Sequence, residues 1–430
     1  MSKPRIYFVL PTFLPLVGGA ERQALLHCRS FRERGYEVTM LTLRHDSNWP
    51  REEVIDAVPV VRVAGRLLGG RERLPRPLQK ACYLMAIFVV VWALWRHRRQ
   101  YDILHIYQLN LLASLGAGVC RLAGTPLVVT VLSTGQDKTQ AYHNGSLLPQ
   151  LPDDLARQLY GDRPTGIGGD LVQLERLGQP AVLLTRSLFQ RIGAVVVVLS
   201  TRMKAYLNEH HFALPTTQLI PNGVDTARFV PACRDRGDER AQTVVCVSNL
   251  RFEKGIDVLL FAWRSVYERV PTARLIIVGD GPLRCQLESL AQTLAIADRV
   301  EFAGQRSDVP EQFHRGGVAV LSSRTEGMPN AVLEAMACGL PCVATRVSGS
   351  EDLIQHGGNG ILCEPGDAAG LAEGLLILLR DPALAQQYGR AARTTIEQHY
   401  AMERIIAMYA ELYQNLVERK TAGVHKERER

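Results

Sequence analysis

The sequence predicts an α/β chain of two domains, each a doubly wound parallel sheet covered by helices. Three observations carry this expectation. Short β-rich runs alternate with helical runs through both halves of the 430 residues. The β-rich runs are apolar on consecutive positions, as parallel strands buried on both faces are. A composition that is 47% apolar fills two ordinary cores at this length.

Taken in order, RIYFVLP reads as a strand, AERQALLHCRSFRERG as a helix and YEVTMLTL as a strand. DILHIY, PLVVTVL and AVVVVLS continue the series, so a first Rossmann-like domain is expected over residues 1–205. Between about 135 and 190 the pattern weakens, and QDKTQAYHNGSLLPQLPDD and GDRPTGIGGD carry turn residues, which reads as an insertion facing the ligand. A second series follows IPNGVDTARF: TVVCVSNL, ARLIIVGD, RVEFAG, GVAVLSS, PCVATR and GILC are strands separated by helices. A second Rossmann-like domain is expected over residues 206–398. Residues 399–430 read as a helix lying near the domain junction and a basic tail.

Nine cysteines are scattered without a CxxC, which suits reduced thiols in a cytoplasmic protein. MSKPRIYFVLP is too short an apolar stretch for a signal peptide, so no secretion is expected. The most apolar run, residues 81–95, is followed at once by Arg96, His97, Arg98 and Arg99. It falls short of the roughly 20 residues of a spanning helix. A buried helix is favoured over a face that dips into the inner side of the cell membrane, because the run lacks a polar face. The net charge of +7 suits a negatively charged surface or a nucleotide ligand, but it includes the tail HKERER and alone decides nothing; no nucleic-acid partner is expected.

The densest chemistry lies in SSRTEGMPNAVLEAMACGLPCVAT, where Glu326 precedes a helix and Glu334 sits inside it. Both carboxylates can point at a ligand above the strand ends, and amides at the helix start can meet its oxygens. A carboxylate suits a ribose diol or sugar hydroxyls. A capped helix with solvated acids explains a glutamate near a helix start, yet does not call for Gly327, Met328, Pro329 and Asn330 between strand and helix. In VSNLRFEKGID, Arg251 and Lys254 at a strand's end could clamp a pyrophosphate. Gly18 and Gly19 in GGAERQ let backbone approach a ligand at a helix start, without the spacing of a dinucleotide fingerprint. Gly279, and Gln305 with Arg306, end two further strands in turns where a base could lie. There is no HExxH, nucleophile elbow, Walker A or Asp-x-Asp, so no metal site is expected. Among the histidines, only His105 ends a strand that should face the cleft, and a packed or exposed histidine is the alternative reading of it.

In order along the chain, GGAERQ, DILHIYQ, IPNGVDTARF, LRFEKGID, LIIVGDGPLR and the Glu326 to Glu334 segment resemble glycosyltransferase family 4. That resemblance implies the GT-B fold, two Rossmann-like domains facing a central cleft. It also implies metal-free, retaining transfer from a nucleotide-diphosphate sugar, a UDP-sugar before a GDP-sugar, to a glycan or lipid-linked acceptor. No cofactor is implied beyond that co-substrate. The roles implied are ribose binding for Glu334, sugar binding for Glu326, diphosphate binding for Lys254, and amide contacts from residues 327–330. Asn222 of PNGVD joins the donor set, and Gly279, Gln305 and Arg306 flank the base. Two positions depart from the family pattern. Asn249 stands where an arginine is usual, with Arg251 as the replacement charge, and Ser133 with Thr134 stands where many members carry a histidine. Those departures keep open an inactive nucleotide-sugar-binding scaffold, beside a GT-B epimerase or phosphorylase.

Overall fold

The computed structural model describes residues 3–16, 18–69, 74–133, 170–232 and 239–428. The first sheet contains β1 (Ile6–Val9), β2 (Val38–Leu43), β3 (Glu52–Ile55), β4 (Val58–Val63), β5 (Ile103–Tyr107), β6 (Leu127–Val131), β7 (Val195–Val198) and β8 (Gln218–Leu219). Their order is β3-β4-β2-β1-β5-β6-β7-β8. All neighbours are parallel except β3, which pairs antiparallel with β4 through a turn at Asp56 and Ala57. The short β8 carries this sheet past the expected boundary at 205.

The second sheet contains β9 (Thr243–Val247), β10 (Arg274–Val278), β11 (Val300–Gly304), β12 (Val318–Leu321), β13 (Cys342–Thr345) and β14 (Gly360–Cys363), in the order β11-β10-β9-β12-β13-β14. It is parallel throughout. Strands such as IYFV and VVVV are buried at every position, which is why they are apolar without alternation. In each sheet the strand order reverses at one point, β1/β5 in the first and β9/β12 in the second, and such points open crevices at the strands' C-terminal ends.

The domains are in contact through a packed and hydrogen-bonded seam. Ser200 and Ser348 hydroxyls lie 2.6 Å apart, and the Thr201 amide donates to Asp352 at 2.9 Å. Leaving the second domain, the chain makes a π-helical turn at Ile396–Tyr400 and pairs with Val224. It then forms the helix Met402–Arg428, which buries Ile405, Ile406, Tyr409 and Tyr413 against Ile6, Phe8 and Phe31 of the first domain.

The apolar run overturns part of its sequence reading. The helix is Arg76–Arg96, 21 residues long, and its window Pro77–Arg96 is long and apolar enough to cross a membrane by length and composition alone. Only 28% of that window is buried. Ala86, Ile87, Val90, Ala93 and Leu94 pack on the domain, while Phe88 and Trp92 on the other face stand 58% and 59% exposed. Burial therefore accounts for one face only.

Candidate active site

The second domain's candidate site residues sit on loops at the C-terminal ends of four neighbouring strands. Ser248 and Asn249 follow β9, Gly279 follows β10, Gln305 and Arg306 follow β11, and the segment from Ser322 to Pro329 follows β12 and feeds the helix Asn330–Ala337. Opposite them, Gly18 and Gly19 open the helix Gly19–Glu33 of the first domain. Together with Lys254, Glu326, Met328, Pro329, Asn330 and Glu334, these line one cleft of about 140 Å³. Two helix N-termini thus converge on it, each equivalent to roughly half a positive charge.

Gly279 is required by this arrangement. Its φ is 139°, and a Cβ there would lie 2.0 Å from the Ser248 carbonyl oxygen. The two turns can close together only around a glycine.

Lys254 ends a single 3-10 turn, Phe252–Lys254, that Gly255 terminates. Its ammonium donates to Glu326 Oε1 at 2.7 Å, and Ser323 Oγ donates to the same oxygen at 2.7 Å. The pair is largely screened from water, with the side chains 22% and 11% exposed. Glu334 is half-buried in the next helix. Burial pushes its carboxyl up to about 7, against the opposing pull of Arg22 and Arg228.

Asn330 joins the domains. Its Oδ1 accepts from Asn222 Nδ2 at 2.8 Å and from Gln23 Nε2 at 3.2 Å, and its Nδ2 donates to the Gly19 carbonyl at 3.1 Å. Asn222 therefore acts on the cleft through Asn330. Gly327 faces the seam and not the cleft, since a Cβ on it would lie 1.9 Å from the Leu132 carbonyl oxygen of the first domain.

Three sequence expectations are corrected. Arg251 caps the 3-10 turn and is exposed, and it does not line the cleft, whereas Lys254 at the turn's end does. The further cations lining the cleft beside Lys254 are Arg22, from the first domain, and Arg306, which is held by Asp308 at 2.7 and 2.8 Å. His105 is fully buried inside β5, bonded to Tyr413 at 2.6 Å and Thr130 at 2.7 Å. Burial holds its ring well below the ordinary histidine range, so it is a neutral core residue. Ser133 follows β6 by two residues, its carbonyl accepts from the Asp170 amide, and it does not line this cleft. Thr134, with residues 134–169 of the expected insertion, lies outside the described residues.

Arg22 and Arg228 are not among the residues that the motifs single out. Arg22 stands within the quoted GGAERQ, one turn into a helix whose first residues line the cleft, and that position is the only sequence signal for it.

Two family models cover this geometry: Glycosyltransferase Family 4 matches residues 17–228, and Glycosyl transferases group 1 matches residues 235–395. The chain belongs to glycosyltransferase family 4. Among its relatives, an N-acetyl-alpha-D-glucosaminyl L-malate synthase of Bacillus anthracis is 36% identical over 179 residues, 42% of this chain and 47% of that protein. A GDP-mannose-dependent alpha-(1-6)-phosphatidylinositol monomannoside mannosyltransferase of Mycobacterium tuberculosis is 30% identical over 254 residues, 55% of this chain and 66% of that protein. The matched stretch thus spans about half the length of the first of these relatives. Among solved structures, sucrose-phosphate synthase from Thermosynechococcus elongatus superposes with a TM-score of 0.72 at 22% identity, covering 96% of this chain and 99% of that one. Anabaena HepE in complex with UDP gives 0.68 at 20% identity, covering 96% and 100%. These superpositions establish the GT-B fold for this family 4 chain.

Proposed function

We propose that this family 4 protein is a retaining, metal-independent glycosyltransferase that moves a hexosyl group from a nucleotide-diphosphate sugar to a glycan or lipid-linked acceptor. The observation that carries this function is the Lys254–Glu326 pair set beside Glu334 between two helix N-termini. Glu334 accepts the ribose diol, and Glu326 accepts sugar hydroxyls. Lys254, Arg22 and the amides at the helix starts hold the diphosphate, so charge that a metal would neutralise meets cations and N–H groups of the chain itself.

In the reaction, the acceptor hydroxyl oxygen bonds to the anomeric carbon on the face from which the diphosphate departs. The bond from that carbon to the diphosphate oxygen breaks, and the acceptor proton passes to the departing phosphate. No protein base is needed in that sequence. UDP is the expected nucleotide, because the HepE neighbour is solved with UDP; GDP is the competitor, because the mannosyltransferase relative is GDP-mannose-dependent. The setting we propose is polysaccharide or glycoconjugate assembly in the cytoplasm, with a peripheral seat on the inner face of the cell membrane.

The test is a melting-temperature shift with UDP, GDP and ADP, without metal, on the protein and on Glu334→Ala. Ligand at about 100 times its dissociation constant stabilises the native state by roughly 2.7 kcal/mol. A shift with one nucleotide that the variant loses supports the donor site. No shift with any nucleotide counts against it.

A further inference from the structure

We infer that the outward face of the helix Arg76–Arg96 is a docking surface for an anionic lipid bilayer, on which the helix lies in the plane of the headgroups. This deepens the acceptor half of the function proposed above, since it brings the protein to a lipid-linked acceptor. Its own basis is independent of the donor site.

The face is a continuous stripe. Leu78, Met85, Phe88, Trp92 and Trp95 recur at spacings of seven, three, four and three, so they share one side of the helix, and all are exposed. Leu84 widens the stripe beside Met85. The opposite side is spent on the domain's own core, through Ala86, Val90 and Leu94. A helix of this length runs roughly 32 Å at 1.5 Å per residue, which makes the stripe a long apolar strip and not a scattering of single side chains.

Charge decides what covers it. Residues 74–101 contain no aspartate or glutamate, while Arg76, Lys80, Arg96, Arg98 and Arg99 bracket the apolar stretch. The Arg96 guanidinium lies 5.5 Å from the centre of the Trp92 ring, and that of Arg98 lies 4.2 Å from Trp95. The tryptophans and arginines therefore form one amphipathic end, with rings for the acyl boundary and cations for phosphate headgroups. A protein partner would have to match an apolar strip ringed by positive charge alone, whereas an anionic bilayer supplies both in one surface.

Topology also orients the molecule. β4 ends at the C-terminal edge of the first sheet, where the cleft lies, and β5 starts at the opposite edge. The helix between them runs from the cleft edge to the far edge, and Tyr7 on β1 meets His97 and Gln100 there. A helix lying flat on the bilayer therefore places the cleft edge of the domain alongside the membrane surface, within reach of a lipid-linked acceptor.

Co-sedimentation with vesicles tests this, using phosphatidylcholine vesicles with and without phosphatidylglycerol, at low and high salt. The protein should sediment with the anionic vesicles and be released by salt. Phe88→Ser/Trp92→Ser should reduce that partitioning by about tenfold or more, and Arg96→Gln/Arg98→Gln/Arg99→Gln should remove its dependence on phosphatidylglycerol. The UDP melting shift should persist in both variants, showing that they fold and that the donor site is separate. Absence of sedimentation, binding that both variants retain, or a vesicle-free dimer that Phe88→Ser/Trp92→Ser dissolves would overturn the docking surface. Vesicle binding by a protein that no nucleotide stabilises would leave the docking surface standing and remove the donor reading.

Discussion

Lys254 Nζ and Ser323 Oγ converge on one oxygen of Glu326, each at 2.7 Å. In the proposed function, a nucleotide-sugar entering the cleft would bring a second anion to Lys254. The ammonium would then divide between carboxylate and diphosphate, while Ser323, buried behind them, keeps the carboxylate in place.

Steady-state kinetics should show this division. Lys254→Met and Glu326→Gln are each expected to lower kcat by roughly 100- to 1,000-fold, and the double variant by less than the product, because the pair acts as a unit. Ser323→Ala is expected to cost about tenfold with little change in nucleotide affinity. A Lys254→Met enzyme with kcat within threefold of the parent would remove the diphosphate role.

Glu334 links stability to pH. Its carboxyl titrates at about 7 in the fold and near 4.5 when unfolded, so the folded state binds more protons between those values. Stability contributed at this site is therefore present below about pH 4.5 and is lost as pH rises to 7. Glu334→Gln should raise the melting temperature at pH 8, by a free energy on the order of 1–3 kcal/mol, while weakening nucleotide binding. In the parent, nucleotide affinity should fall as pH is lowered through about 7, because the diol loses its carboxylate acceptor. A variant that melts lower at pH 8 would contradict the cost assigned to burial.

Arg22 and Arg251 can be separated by titration calorimetry. Arg22→Ala should weaken UDP about tenfold and UMP less, since the proposed function sets it against the diphosphate, while Arg251→Ala should leave both within twofold. The reverse ranking would restore Arg251 to the cleft.

Asn330 latches the domains by accepting from Asn222 and Gln23 and donating to Gly19. Asn330→Ala removes the partner of the Asn222 amide and of the Gly19 carbonyl, while Gln23 keeps its bond to the Gly223 carbonyl, at about 1–3 kcal/mol against the closed arrangement. The expected outcome is a larger radius of gyration in small-angle scattering and a raised KM for the donor. An unchanged scattering profile together with an unchanged KM would show that the latch does not hold the closure.

Chain order and local chemistry made much of this protein readable in one dimension. The strands are apolar without alternation because both faces of each sheet are covered, so their composition marks them without any partner being known. The residues after β9, β10, β11 and β12 could be assigned to one ligand because parallel strands deliver their C-terminal ends to the same edge, and twelve of the expected positions do line the cleft. The hairpin of β3 and β4 left a weaker trace, since its turn depends on positive φ at Asp56 and Ala57, residues that are no turn signal as a pair.

Tertiary structure decided what depends on direction and on the opposite domain. Arg251 and Lys254 are three residues apart, and only the 3-10 turn ending at Gly255 tells which one enters the cleft. Arg22 reaches the cleft from the first domain, about 230 residues away in sequence from Lys254, and His105 is held apart from it in the core, bonded to Tyr413 of the returning C-terminal helix. The stripe from Leu78 to Trp95 is as apolar as a core helix, and composition cannot tell an inward face from an outward one. Periodicity records which side chains share a face; only packing determines what that face meets.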